Sequence, residues 1–172
     1  MDKRIITLQR YSSPCGGLVL GSFADKLCLC DWEKGRHRSS TELRLKRLLN
    51  AEWREEDSDV IKAVRKQLDE YFSCERRVFD LPLLFVGSDF QKKVWEELLN
   101  IPYGTTVSYG EIARRLGMSN AVRALANANG ANALSVIVPC HRVIGSNGSL
   151  TGYGGGLDTK RFLLDLESRT IL

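Results

Sequence analysis

Apolar residues recur along this chain with two periods, and the change of period divides it into segments. Between residues 3 and 31, β-rich runs at Ile5 to Leu8, Gly17 to Leu20 and Lys26 to Asp31 are separated by turn residues, with Gly21 to Asp25 as a connecting turn. They predict a small antiparallel meander. From Ser39 the spacing becomes helical: Ser39 and Glu42 make a capping-box pattern ahead of Leu43, Leu45, Leu48 and Leu49. A second helix is predicted from Asp59 to about Phe72, with Val60, Ile61, Val64, Leu68, Tyr71 and Phe72 on its apolar side. The charged segment Glu52 to Asp57 reads as a solvated link. Arg76 to Asp80 reads as a short strand, and the proline and glycine of Leu81 to Gly87 interrupt regular structure.

Ser88 and Gln91 repeat the capping box and open a helix whose stripe is Phe90, Val94, Trp95, Leu98 and Leu99, ending before Pro102. Tyr103-Gly104 turns the chain. Ser108 and Glu111 then cap a short helix through Ile112, Ala113 and Leu116, which Gly117 stops. Ser119 or Asn120 caps the next, Ala121 to about Asn129, ended by Gly130. Two short helices about a glycine turn are a helix-turn-helix candidate, a pattern shared with ordinary helical corners. The second helix carries Ala121, Ala124, Ala126 and Ala128, leaving Arg123 as its one long cation. That composition suits close approach to a groove wall with one inserted side chain; tight alanine packing accounts for it equally well.

The run Val136-Ile137-Val138 predicts a buried strand, stopped by Pro139, that delivers Cys140 beside His141 and Arg142. A cysteine attacks as thiolate, and a free thiol has a pKa of about 8.5, so it needs a base or a cation nearby. His141 and Arg142 are the evident suppliers. Neighbours on an extended chain point to opposite faces, so either the backbone turns there or a water relays the proton. Inert packing is the competing reading of a lone cysteine. After it, Ile144 to Leu157 is glycine-rich, with Tyr153 able to stack on a ligand or close a pocket. The stretch lacks the register of a dinucleotide fingerprint and the Lys-Ser ending of a triphosphate loop. Asp158 caps a last helix with Phe162, Leu163, Leu164 and Leu166, and Glu167 near its end is placed to orient His141.

With 172 residues the chain suits one ordinary domain or two small ones. No run is long enough for a membrane span, and Met1-Asp2-Lys3-Arg4 leads into no signal-peptide core, so a cytoplasmic protein is expected, or a nuclear one in a eukaryote. Five cysteines are an odd count, which argues against a disulfide framework. Cys28 and Cys30, with Cys15, Cys74 and His37, lack the paired knuckles of a zinc site, so small buried side chains are the default and no metal is expected. The net charge of +4 is mild, but its distribution is uneven. No acid lies between Glu111 and Asp158, whereas Arg114, Arg115, Arg123 and Arg142 do. A cationic surface of that kind around a nucleophile favours a polyanionic substrate.

These residues resemble the O6-alkylguanine-DNA alkyltransferases, the methylated-DNA-protein-cysteine methyltransferases. The matching motifs are Pro139-Cys140-His141-Arg142-Val143, Phe90-Gln91-Lys92-Lys93-Val94-Trp95, Ile101 to Tyr109, Ala121 to Ala124, Gly152-Tyr153, and Leu163-Leu164 with Glu167. They span about residues 88 to 168; residues 1 to 87 match in coarse layout alone. The resemblance implies a ribonuclease-H-like α/β amino-terminal domain, a small antiparallel sheet with helices over 1 to 87. A mostly helical winged helix-turn-helix domain over 88 to 172 would bind DNA and catalyse. It implies Cys140 as irreversible acceptor of the alkyl group from a flipped O6-alkylguanine, and activity on O4-alkylthymine as well. His141, through a water and oriented by Glu167, is implied as base. Tyr109 is implied as proton donor to guanine N3, Arg123 as the finger filling the gap in the duplex, and Asn132 as the hinge. Ser108, Ala124 and Tyr109 would face DNA, and Tyr153, Gly154 and Val143 would form the base pocket, with the Cys140 and Val143 carbonyls receiving the exocyclic amine. No cofactor is implied; the partner is double-stranded DNA carrying O6-alkylguanine, met by a monomer. Gly154 departs from the pattern, standing where some members have serine. Two other readings remain open: a helix-turn-helix DNA binder or lesion sensor without transfer chemistry, and a cysteine hydrolase using Cys140 and His141.

Overall fold

The computed structural model describes residues 4–169. Strands β1 (Arg4–Ser13), β2 (Gly16–Phe23) and β3 (Lys26–Trp32) pair antiparallel in chain order, as the alternation predicts. The tight turn is confined to Ala24 and Asp25, with φ of 50° and 62°, so Gly21 lies inside β2 and not in a connecting loop. A Cβ there would come within 3.0 Å of Leu29 Cβ. The register shifts at Gly21, a bulge that leaves Cys28 without an opposite residue. Leu27 and Cys30 consequently join the larger apolar core, while Cys28 and Leu29 join the smaller one on the other face. Burial on both faces is why these strands are apolar at consecutive positions.

Helix α1 (Arg38–Leu49) covers the smaller core with Leu45 and Leu49. It begins before Ser39, and the predicted Ser39–Glu42 box does not form; Glu42 pairs with Arg38 instead. The supposed solvated link contains β4 (Ala51–Glu55), which runs parallel to β1 and makes the sheet mixed, in order β3-β2-β1-β4. Ala51 is buried and Trp53 packs on the smaller core, while Glu52, Arg54 and Glu55 are exposed along the sheet edge. Charges on an edge strand discourage further pairing, which is why this strand looks like a linker in sequence. Helix α2 (Asp59–Phe72) lies against the larger core through Ile61, Val64, Leu68 and Tyr71, and its N-cap Ser58 accepts the Ile61 N–H. Each such buried aliphatic side chain contributes about 1.5–3 kcal/mol. No strand forms over residues 76–80; the chain instead pairs with β3 at Leu27–Leu83, with Leu27 N–H donating to Pro82 and Leu84 N–H to Leu27.

The second half is helical. Both bonds of the Ser88–Gln91 capping box are present at the start of α3 (Asp89–Leu98). A two-residue parallel ladder, β5 (Val107–Ser108) with β6 (Val143–Ile144), flanks the helix pair α4 (Tyr109–Arg115) and α5 (Val122–Gly130). Ser108 caps α4 as predicted, whereas α5 starts after Ala121 with no side-chain cap from Ser119 or Asn120. Helix α6 (Leu157–Arg169) closes the described chain, and Asp158 sits in its first turn instead of ahead of it. Among the described residues no helix is long and apolar enough to cross a membrane.

Strand β3 joins the two halves. Cys30 N–H donates to Ala133 and Ser135 N–H to Cys30, both at 2.8 Å, making a parallel bridge with Leu134. Those bonds use up the pairing before Val136, and the predicted strand over 136–138 is replaced by turns closed by Ile137 N–H to Ser135 and Val138 N–H to Leu134. Val136 takes a φ of 70°, a left-handed value costing a β-branched residue about 1–3 kcal/mol. Tertiary anchoring thus overrides the β preference of three branched residues.

Candidate active site

Cys140 opens a short 3-10 helix, Cys140–Arg142, so the backbone does turn at the nucleophile and the strand-end geometry expected from the sequence is absent. Cys140 is 5% exposed. Burial pushes its thiol up to about 11, and an Asn132 hydrogen bond and the Lys160 charge pull back against that rise. The resting sulfur is therefore a thiol at neutral pH. Lys160 is the cation that bears on it, because Arg142 is engaged elsewhere.

His141 is fully buried, with Nε2 2.7 Å from Glu167 Oε2. Burial lowers its pKa, with Glu167 opposing, so the ring is neutral at pH 7. Facing a carboxylate, Nε2 carries the proton, which leaves Nδ1 as an acceptor; it has no hydrogen-bond partner among the described residues. Glu167, from α6, is a hub. Arg142 grips it from Nε at 2.8 Å and Nη2 at 3.0 Å, and Tyr71 Oη donates to it at 2.7 Å. Burial alone would raise the Glu167 pKa, but His141 and Arg142 hold it well below the usual carboxylate range. Arg142 also donates to Ile101 O at 2.7 Å.

Asn132 donates to Val138 O at 3.0 Å and accepts the Leu134 N–H at 2.9 Å, joining the end of α5 to the turn that leads to Cys140. Buried Asn129, which the sequence did not single out, approaches Cys140 O with Nδ2 at 3.5 Å. Lys160 also went unmarked. It is fully buried and donates from Nζ to Val143 O at 2.6 Å and to Thr151 O at 2.9 Å. Its signal is spacing: positions 160, 163 and 167 share one face of α6, so a lysine stands on a buried stripe. Tyr71 hid the same way, on the apolar side of α2.

A cavity of about 570 Å³, within the range of about 300–1,000 Å³ usual for ligand sites, shares Asn129 and Thr151 with this arrangement. Tyr109, Asn129, Tyr153, Gly154 and Arg123 line it, while Cys140, Val143, Ser108 and Ala124 do not. Tyr109 Oη lies 3.5 Å from Thr151 O, and burial raises its pKa, with Cys140 adding to the rise, so the phenol keeps its proton. Tyr153 Oη accepts the Trp32 Nε1–H at 3.1 Å. No hydrogen bond among the described residues uses the Gly154 N–H. The acid-free interval proves less cationic at its surface than its composition suggests. Arg114 pairs with Glu111, Arg115 with Glu111 and Glu97, and Arg142 is buried on Glu167. Arg123 alone of the four is exposed without an ion pair among the described residues. Among those residues, too, no group of three His, Cys, Asp or Glu side chains is placed to hold a metal.

Residues 6–85 match the family model described as the 6-O-methylguanine DNA methyltransferase ribonuclease-like domain, and residues 89–169 match that family's DNA binding domain. The chain is 41% identical over 157 residues to a methylated-DNA–protein-cysteine methyltransferase of Methanosarcina acetivorans, covering 91% of this chain and 95% of that one. A protein of the same name from Methanosarcina barkeri is 44% identical over 159 residues, covering 92% and 95%. The crystal structure of Mycobacterium tuberculosis OGT in complex with DNA superposes with a TM-score of 0.83 at 41% identity, covering 95% of this chain and 94% of that chain.

Proposed function

Because this chain belongs to the 6-O-methylguanine DNA methyltransferase family, we propose that it repairs DNA by moving the alkyl group of O6-alkylguanine, and of O4-alkylthymine, irreversibly onto Cys140. One observation carries the assignment of roles: a neutral, buried His141 with a free Nδ1, held by an ionised Glu167, adjoins Cys140, whose carbonyl is approached by Asn129 from the wall of an Arg123-lined cavity. The target base swings out of the duplex into that cavity, at a cost of a few kcal/mol in lost stacking. Arg123 fills the gap left behind. Tyr153 closes one wall, and the Gly154 N–H is available to the base oxygen.

The thiol proton passes through a water to His141 Nδ1. Glu167 stabilises the resulting imidazolium, and Lys160 stabilises the thiolate while bracing the Val143 carbonyl. Sulfur then attacks the alkyl carbon as the carbon–O6 bond breaks, and Tyr109 delivers a proton to guanine N3 so that the base leaves neutral. Asn132 and Asn129 hold the backbone of the turn in place; Ser108 and Ala124 lie at the surface that meets DNA. Sulfur is the acceptor and imidazole the base, so the reaction needs neither metal nor cofactor. The protein acts as a monomer in the cytoplasm, with its domains divided between residues 87 and 88.

Two substitutions test the roles. Arg123→Ala lowers the rate on methylated duplex by about tenfold to a hundredfold relative to the rate on free O6-benzylguanine, because the free base needs no gap filled. Equal losses on both substrates contradict the finger. Tyr109→Phe slows transfer about 10²-fold, as removal of a general acid does. Affinity for methylated duplex stays within about threefold of wild type, and a parallel collapse of affinity rules out proton donation.

A further inference from the structure

The cavity has a wall that belongs to the other half of the chain. Arg36 and His37, in the loop between β3 and α1, line it together with Tyr109 and Arg123, and no carboxylate lines it. From Lys34 to Thr41 the sequence has no acid but contains Lys34, Arg36, His37 and Arg38, so a second acid-free stretch faces the one around Cys140. Glu33, just before it, is occupied by Arg10 at 2.6 Å, and Arg38 is paired with Glu42. Arg36 is exposed, and its guanidinium has no hydrogen bond or ion pair among the described residues.

The loop is fixed to the active-site loop through backbone and rings. Arg36 N–H donates to Gly154 O at 2.9 Å, Gly35 N–H to Trp32 O at 2.9 Å, and Trp32 Nε1–H to Tyr153 Oη at 3.1 Å. Gly155 allows this contact, since a Cβ there would lie 2.6 Å from Trp32 Cδ1. With the loop backbone held in this way, binding an anion costs the ordering of the Arg36 side chain and not of the loop.

We propose that Arg36 is a phosphate-positioning residue: sharing a cavity with Arg123, it contacts the phosphate of the extruded nucleotide and brings the amino-terminal domain into DNA recognition. This rests on the DNA-repair reading above. The division of labour is specific. Arg123 acts where a duplex gap must be filled, whereas Arg36 acts wherever the damaged nucleotide carries its phosphate, in single strands as well as duplexes.

Arg36→Ala is therefore expected to lower the ratio of oligonucleotide rate to free O6-benzylguanine rate by about fivefold on both single-stranded and duplex methylated oligonucleotides. Affinities are compared in a Cys140→Ser background, so that substrate is not consumed. One phosphate contact changes the salt slope by about 0.9, so the affinity gap that Arg36→Ala opens should shrink roughly threefold to fourfold from about 50 to about 200 mM salt. Arg36→Lys should restore most of the ratio, and thermal midpoints should agree. A ratio within twofold of wild type, a gap insensitive to salt, or a failed lysine rescue overturns the proposal. Failure of the underlying reading shows separately, as absence of alkyl transfer by the unsubstituted protein.

Discussion

Glu167→Ala should lower stability by about 3–5 kcal/mol and leave any folded fraction unable to accept an alkyl group at a measurable rate. The substitution removes the carboxylate that pairs, among the described residues, with two buried donors: His141 at 0% exposure and Arg142 at 6%. It also orphans Tyr71 Oη, a buried phenol that burial and Glu167 together keep protonated. For a chain of this size the loss corresponds to a fall of about 6–20 °C in thermal midpoint. Glu167→Gln separates folding from chemistry, because it keeps the shape but cannot stabilise an imidazolium. Its rate with free O6-benzylguanine should fall at least about 10²-fold even where the protein remains folded.

The pH dependence has a definite sign. The Glu167 pKa is depressed in the folded state, so its stabilisation is present above the unfolded carboxylate value of about 4.3 and is lost as pH falls through the folded value. The gap in thermal midpoint between wild type and Glu167→Gln should thus be widest near neutrality and narrow in acid. Differential scanning calorimetry of both proteins from pH 3 to 7 measures it. A wild-type midpoint and transfer rate in the glutamine variant would remove Glu167 from the mechanism.

What sequence reveals here follows local rules, and what it hides follows from distant contacts. Ser88 with Gln91 and Ser108 ahead of Glu111 announce two helix starts, because a cap is satisfied by residues three apart. Cys140, His141 and Glu167 were legible as a set through the motif they share with a family. The strand β4 was not, since its alternation of Ala51 and Trp53 is masked by charges that suit an exposed sheet edge. The turn at Val136 was not, since nothing local requires a valine to adopt a left-handed backbone; two hydrogen bonds to Cys30, over a hundred residues away, impose the approach. Lys160 went unremarked and Arg142 read as part of a cationic surface beside Cys140, and each is buried on partners contributed by other elements. The same distance hid the Arg36 wall: a loop after the third strand meets the glycine-rich loop only in the folded molecule.

The second large effect concerns the sulfur itself. Cys140 is buried, and its resting thiol is held at about 11, so it reacts only when a base is presented and its proton has somewhere to go. The four other cysteines have no such setting. Cys28 and Cys30 are enclosed in the two apolar cores, with pKa values driven up by burial; half-buried Cys15 pairs with Ser13, and Cys74 is exposed. Cys140→Ala should accordingly abolish transfer while leaving DNA affinity largely intact, because the cationic surface is unchanged. Intact-mass and peptide-mapping mass spectrometry after exposure to excess O6-methylguanine duplex decides the matter. One methyl group per chain is expected, located on Cys140, with no further repair once it is present and no adduct in Cys140→Ala. Repeated turnover, or a methyl group carried by any other residue, would contradict it.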